Sequence, residues 1–222
     1  MITLEKNKLN VVVGPVSSGK TTIMLNQACE LVKIGYNVLF VSNDMSAISL
    51  SRFFHCLYND ISFTEIKYDK DMVPTGLVLP PNIQFVEQCE VLSDFIMTHH
   101  EMNRTGRYDY IFIDSVNYFT DDRDKPYLTK LKNNISFLNS FVGEKEVTIT
   151  ASVNILDISD IKHLELLPDN IGNVIVTKKN KNTDKSNELI ITDKDAGRTI
   201  LTISFDNGQL INETIVQDYP MD

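Results

Sequence analysis

The sequence predicts an α/β fold in which helices flank a mostly parallel central sheet, followed by antiparallel strands towards the C-terminus. Two patterns support this prediction. Short β-branched and aromatic runs alternate with amphipathic helical segments up to residue 154, which favours parallel strands joined by helices. From Asn173 onward the runs are strand-like, and the Asn207-Gly208 pair is typical of a hairpin turn.

The first strand, loop and helix contain the segment GPVSSGKTT. Leu9 to Val13 is a β-branched run, and residues 22–34 have helical spacing with Gly35 as a stop. The spacing G-x-x-x-x-G-K-[ST] is typical of a phosphate-binding loop, in which backbone N–H groups and a helix N-terminus face phosphate oxygens. We therefore predict nucleotide binding by Gly14, Pro15, Val16, Ser17, Ser18, Gly19, Lys20, Thr21 and Thr22.

Lys20 and Thr21 have the side chains that a bound ATP–Mg²⁺ complex needs. A lysine at this position reaches the β- and γ-phosphates, and the following hydroxyl ligates Mg²⁺. We expect Lys20 to lie in a solvent-facing loop. The alternative is a chance match in a Ser/Gly turn, but the flanking strand and helix argue against it. ATP and Mg²⁺ are therefore the predicted ligands.

The later elements follow in the same alternating order. Residues 60–82 are irregular and contain several prolines, which indicates a loop or insertion. Strands are predicted at 37–44, 82–89, 108–114 and 147–154, and helices at 45–59, 91–104 and 128–142.

Polar residues stand at the ends of several predicted strands. Ligands of open α/β sheets bind outside the carboxyl ends of the strands, so Gly14, Asp44, Asp114 and Asn154 are expected to cluster at one edge. Asp114 is predicted to hold Mg²⁺ together with Thr21, the alternative being a turn or cap. Asp44 is predicted to orient a water for attack, and its alternative is an N-cap for the next helix. Asn154 would hold that water or sense the phosphate.

Composition places limits on partners and location. The 222 residues suggest one domain, and a net charge of −9 does not favour nucleic acid over the whole surface. The local exception is a Lys/Asn-rich segment whose lysines are candidate DNA contacts, unless it is only a solvated hairpin tip: Lys178, Lys179 and Lys181. We find no signal peptide or membrane-spanning run, and the scattered cysteines are typical of buried free thiols. A cytoplasmic protein without a membrane partner is expected.

Several segments together resemble the ATPase core of DnaB-type replicative helicases, particularly those of bacteriophages. The similar segments are "GPVSSGKTTIMLNQACELVKIGYNVLFVSNDM", "YDYIFIDSVNYF", "ASVN" and "ELIITDKDAGRTILTISFDNGQL". This resemblance implies a RecA-like fold from Leu9 to about Ile211 and ATP hydrolysis in DNA replication or recombination. It places Asp44 at the catalytic glutamate, Asp114 in the second Walker motif and Asn154 at a sensor glutamine. It also implies single-stranded DNA, a ring or filament of identical subunits, or a replication protein as partners.

The chain departs from that family at defined positions. Asp44 is one methylene shorter than the family's glutamate, and Asp193-Lys194-Asp195 stands where the family has Lys-x-Arg. Lys194 and Arg198 are the candidate substitutes for a residue that acts on a neighbouring subunit. A single ATPase domain of residues 1–222, without the N-terminal helicase domain, is expected. Two alternatives stay open: a RecA-type recombinase-like filament protein, and a non-hydrolysing nucleotide-binding regulatory or assembly protein.

Overall fold

A computed structural model describes residues 4–68, 74–87, 92–94, 96, 108–119, 126–154, 171–179, 186–193, 197–206 and 209–219. The α-helices with described bounds are α1 (Lys20–Lys33), α2 (Ala47–Asn59) and α3 (Tyr127–Lys145), and residues 92–94 and 96 are also helical. The strands in the same ranges are β1 (Leu9–Gly14), β2 (Val38–Ser42), β3 (Lys67–Tyr68), β4 (Pro74–Thr75), β5 (Ile83–Glu87), β6 (Tyr110–Asp114), β7 (Thr148–Asn154), β8 (Val174–Lys179), β9 (Ser186–Asp193), β10 (Gly197–Asp206) and β11 (Gln209–Tyr219).

The central sheet combines parallel and antiparallel strands. Within the described residues it has nine strands in the order β11-β10-β9-β8-β1-β7-β6-β2-β5. The strands from β8 to β5 are parallel, whereas β8, β9, β10 and β11 pair antiparallel in succession. This arrangement confirms the predicted fold class. The segment expected to be irregular also contains a small separate antiparallel pair, β3 with β4.

Both faces of the parallel part of the sheet are covered, so successive residues of one strand enter different cores. Val11 and Val13 of β1 pack into the core under α3, whereas Val12 between them packs into the core under α1 and α2. On the α1 side, the rings of Phe40 and Phe112 stack with centroids 5.7 Å apart. Burial on both faces explains why these strands have continuous apolar runs rather than alternating polarity.

The observed element ends differ slightly from the predicted ones. α1 begins at Lys20, earlier than predicted, and is followed by Gly35 at φ 97°, as expected for a helix stop. The thiols of Cys29 and Cys56 are buried and free, whereas Cys89 lies outside the described residues. The Asn207-Gly208 turn and most of the predicted helix at 91–104 also lie outside them, but Asp206 pairs with Gln209 across the predicted hairpin. In the described part of the chain, no helix combines the length and apolarity needed to cross a bilayer.

Candidate nucleotide-binding site

The loop after β1 has the backbone that a phosphate-binding loop needs. Ser17 and Gly19 have positive φ values of 61° and 88°, which turn the chain sharply before α1 begins. Gly14 lies against β8: a Cβ at this position would be 2.0 Å from Thr177 Oγ1 and 2.7 Å from Thr177 O. The hydroxyls of Ser18 and Thr177 are hydrogen bonded. Only glycine therefore fits at position 14 without moving β8 away from the loop.

The other predicted loop residues are distributed between the loop surface and its interior. Val16 is 68% exposed and Ser17 is also exposed at the tip, whereas Pro15 and Thr22 are half-buried. Ser18 is fully buried. The exposed residues leave the tip accessible, and the buried Ser18 attaches the loop to the sheet.

Lys20 does not lie in a solvent-facing loop, so that expectation was wrong. It is the first residue of α1 and is only 5% exposed. Its ammonium group folds back and donates to Gly14 O at 3.1 Å and Pro15 O at 2.7 Å. Burial lowers the pKa of Lys20, while the nearby charges of Asp114 and Asp44 act in the opposite direction. The cation is thus held at the loop, facing two carboxylates.

Asp114 and Thr21 come together as predicted for a metal site. Thr21 Oγ1 donates to Asp114 Oδ2 at 2.8 Å, and the hydroxyls of Ser42 and Ser152 donate to the same carboxylate at 3.3 and 2.8 Å. Asp114 is 1% exposed, and this burial raises the pKa of its carboxyl, opposed by the hydroxyl donors and reinforced by the charge of Asp44.

These residues fit a magnesium ion shared with a nucleotide. A hydroxyl and a carboxylate are the hard oxygen ligands that Mg²⁺ prefers, and a buried carboxylate gains from a neighbouring cation. The described residues contain no group of three or more His, Cys, Asp or Glu side chains that would hold a metal. Magnesium typically takes one or two protein ligands and completes its shell with water and phosphate oxygens. The pair of Thr21 and Asp114 therefore suits Mg²⁺ with ATP rather than a permanent protein-bound metal.

Asp44 projects from the loop after β2 towards the end of β6. Its carboxylate accepts a hydrogen bond from the Ser115 hydroxyl, and its backbone N–H donates to Ser42 Oγ at 3.1 Å. The alternative role as an N-cap is wrong, because Ser46 caps α2 by accepting from the Ser49 N–H at 3.2 Å. Asp44 therefore does not cap α2. It is exposed and lies close to the Asp114 carboxylate.

Asn154 ends β7 in register with Gly14 of β1, so the structure brings it to the same edge. Its side-chain Nδ2 donates to Ser115 Oγ at 3.3 Å. Its backbone is held twice by Asn117, which accepts from Asn154 N–H at 2.7 Å and donates to Asn154 O at 3.0 Å. Sequence reasoning missed Ser42, Ser115, Asn117 and Ser152. Ser42 ends β2, and Ser115 and Asn117 lie within three residues after β6. Ser152 lies two residues before the end of β7. Their positions near the ends of adjacent parallel strands are the signal that would have found them.

The candidate DNA-contact lysines and the candidate trans-acting arginine lie towards opposite edges of the sheet, where the structure describes them. β8 runs parallel to β1, so Lys178 and Lys179, its last two residues, lie towards the phosphate-loop edge, where they pair with β9. Lys181 lies outside the described residues. Lys194 also lies outside them. Arg198 is near the start of β10, which two successive antiparallel pairings place at the opposite edge. The structure therefore does not bring Arg198 to the phosphate loop of its own chain.

Comparison with known proteins gives matches in structure. No family model matches the sequence, and no curated protein matches it in sequence. The structure superimposes over 94% of its length on a DnaB-like replicative helicase, solved in a study of its interactions with primase, with a TM-score of 0.75 and 14% identity. It also superimposes over 94% of its length on a second solved structure, an ATPase domain, with a TM-score of 0.75 and 16% identity. The chain has the RecA-like fold of these two solved structures.

The shared fold confirms the predicted resemblance at the level of architecture. The chain spans 58% of the length of the DnaB-like helicase and 86% of the length of the solved ATPase domain. Identities this low establish a common fold, and function must be argued from the site itself.

Proposed function

We propose that this chain binds ATP with Mg²⁺ and hydrolyses it, as a helicase-like RecA-fold ATPase acting in DNA replication or recombination. The observation that carries the proposal is the meeting of three parts at one sheet edge. These parts are the phosphate loop, the 2.8 Å contact between Thr21 and Asp114, and the neighbouring Asp44 carboxylate. The strand register explains the meeting, because Ser42 pairs with Asp114 in adjacent strands.

Each part has a physical role in this proposal. The loop N–H groups and Lys20 would bind the phosphates and stabilise the charge that spreads over them during transfer. Thr21 and Asp114 would hold Mg²⁺, which when bound offsets the charge of the β- and γ-phosphate oxygens. Asp44 would accept a hydrogen bond from the attacking water and orient it. Lys20 would leave the carbonyls of Gly14 and Pro15 to reach a phosphate.

Two further functions have specific support. The shorter acid at Asp44 and the replacement of the Lys-x-Arg element by Asp193-Lys194-Asp195 favour a regulatory or assembly protein that binds nucleotide without turnover. The same fold and site also suit a recombinase-like filament. In the helicase-like and the recombinase-like functions, single-stranded DNA, further copies of this chain or a replication protein would be partners.

Steady-state ATP turnover, measured with and without single-stranded DNA, separates these functions. We expect magnesium-dependent turnover that DNA increases and that Lys20→Ala abolishes. Filaments on single-stranded DNA in electron micrographs would instead favour the recombinase-like function. Binding of ATP by calorimetry without turnover would refute the ATPase proposal and leave the regulatory function.

A further inference from the structure

We propose that Ser115 is a positioning residue that holds the Asp44 carboxylate in one orientation and connects it to Asn154. This inference rests on the proposed ATPase function. It assigns a role to Ser115, which directly follows Asp114 in the chain and forms hydrogen bonds with Asp44, Asn154 and Ser152.

The geometry places Ser115 between two predicted site residues. Its hydroxyl donates to Asp44 Oδ2 and accepts from Asn154 Nδ2 at 3.3 Å. β6, which it follows, lies between β2 and β7 in the sheet, so one side chain spans the ends of three neighbouring strands. A hydroxyl has one donor and two acceptor positions, which suits it to join a carboxylate to an amide.

Ser115 is itself held rigidly, in a backbone conformation that a serine rarely adopts. Its φ and ψ are both 65°, in the left-handed region, and it is 1% exposed. Its N–H donates to Ser152 Oγ at 2.7 Å. Such strain persists only where the surroundings enforce it, and it is concentrated at functional sites. The buried anchor therefore presents its hydroxyl in a defined direction.

Asp44 needs such an anchor because its side chain is exposed. It lies in an exposed loop, and a short acidic side chain on a loop samples several rotamers unless a hydrogen bond selects one. Ser42 and Ser152 both donate to Asp114, whereas Ser115 donates to Asp44. Ser42 and Ser152 thus hold the carboxylate that is proposed to bind Mg²⁺, and Ser115 holds the carboxylate that is proposed to orient water.

A purely structural role for Ser115 predicts different behaviour from a positioning role. Its backbone N–H and its left-handed conformation are independent of the hydroxyl, so Ser115→Gly removes the hydroxyl and also relieves the backbone strain. Ser115→Ala removes the hydroxyl and keeps the strain. If the hydroxyl positions Asp44, both variants lose the same step of the reaction, although their stabilities differ.

The test measures kcat and KM for ATP in both variants, with Ser136→Ala, an exposed serine of α3, as the control. We expect kcat to fall about 10- to 100-fold, the usual effect of a lost hydrogen bond to a charged group, while KM changes by less than about twofold. The control should retain the kcat of the unaltered chain. In an Asp44→Asn background, Ser115→Gly should cause no further loss, because its effect passes through the Asp44 carboxylate.

Two results would overturn the inference while leaving the ATPase proposal intact. One is a kcat in Ser115→Gly and Ser115→Ala within about twofold of the unaltered chain. The other is a further loss in the Asp44→Asn background as large as the loss in the unaltered chain. An unaltered chain without turnover would overturn the ATPase proposal and this inference together, so the two failures are distinguishable.

Discussion

Replacing Gly14 by alanine tests the close packing of the phosphate loop against β8. The added Cβ would lie 2.0 Å from Thr177 Oγ1 and 2.7 Å from both Thr177 O and Ser18 Oγ. Thr177 is fully buried, and its hydroxyl also donates to Val13 O at 3.3 Å. Because one of the blocking atoms is backbone and the others are buried, the side chains cannot simply rotate away. β1 and β8 would have to separate.

The expected cost follows from the number and kind of these contacts. Overpacking a buried site typically costs about 1–3 kcal/mol, and a clash that includes backbone belongs at the upper end, about 3 kcal/mol. For a chain of 222 residues, 1 kcal/mol corresponds to roughly 2–4 °C in melting temperature, so Gly14→Ala should melt roughly 6–12 °C lower. ATP affinity should fall as well, because the loop N–H groups move with the strand.

The assay combines thermal and urea unfolding with calorimetric titration of ATP. Gly143 provides a matched control, since it lies in α3 and a Cβ there meets nothing within 4 Å. Gly143→Ala should raise the free energy of unfolding by about 0.4–1 kcal/mol, because alanine loses less conformational entropy on folding. If Gly14→Ala melts within about 1 °C of the unaltered chain and binds ATP equally well, the packing argument is refuted.

Four further predictions concern the site and the lysine-rich segment. Lys20→Ala should abolish ATP binding in calorimetry while the fold is retained, and unchanged binding would contradict the phosphate-loop assignment. Asp114→Asn should reduce magnesium-dependent turnover more than magnesium-free nucleotide binding. Burial raises the pKa of Asp114 in the folded state. The free energy of unfolding of the unaltered chain should therefore fall as pH rises from the unfolded-state pKa to the folded-state pKa of this carboxyl. Urea titrations at several pH values should show a smaller fall in Asp114→Asn. Asp44→Asn should lower turnover about 10²-fold with ATP affinity nearly kept, and Asp44→Glu should raise turnover; an unchanged rate in the first variant would exclude a catalytic role. Simultaneous replacement of three lysines by alanine should weaken single-stranded DNA binding and flatten its salt dependence by about two to three counterions, without affecting ATP binding; equal affinity at low salt would exclude this contact. The lysines are Lys178, Lys179 and Lys181.

The local elements, and the parts of the site that depend on spacing along the chain, can be predicted from the sequence alone. The phosphate loop needs Gly14, Gly19, Lys20 and Thr21 at fixed separations, so its identity can be read without the fold. The parallel strands have apolar runs because both faces are buried, and the polar residues that follow them mark the binding edge. These features are local or nearly local, and a pattern in the sequence is sufficient to predict them.

The order of the strands in the sheet, and the side-chain contacts at their ends, come from the packed fold and could not be predicted from the sequence pattern. Lys20 is buried because its ammonium group bonds carbonyls that the loop turns inward, a result of the backbone path rather than of residue type. Ser115 joins Asp44 to Asn154 because β6 lies between β2 and β7, an order that the chain sequence does not reveal. β8, β9 and β10 pair antiparallel in succession, so β10 runs in the same direction as β8. Arg198 is near the start of β10 and therefore lies towards the edge opposite the phosphate loop. Contacts between residues far apart in the chain depend on sheet order and register, which arise only when the whole sheet packs against its helices.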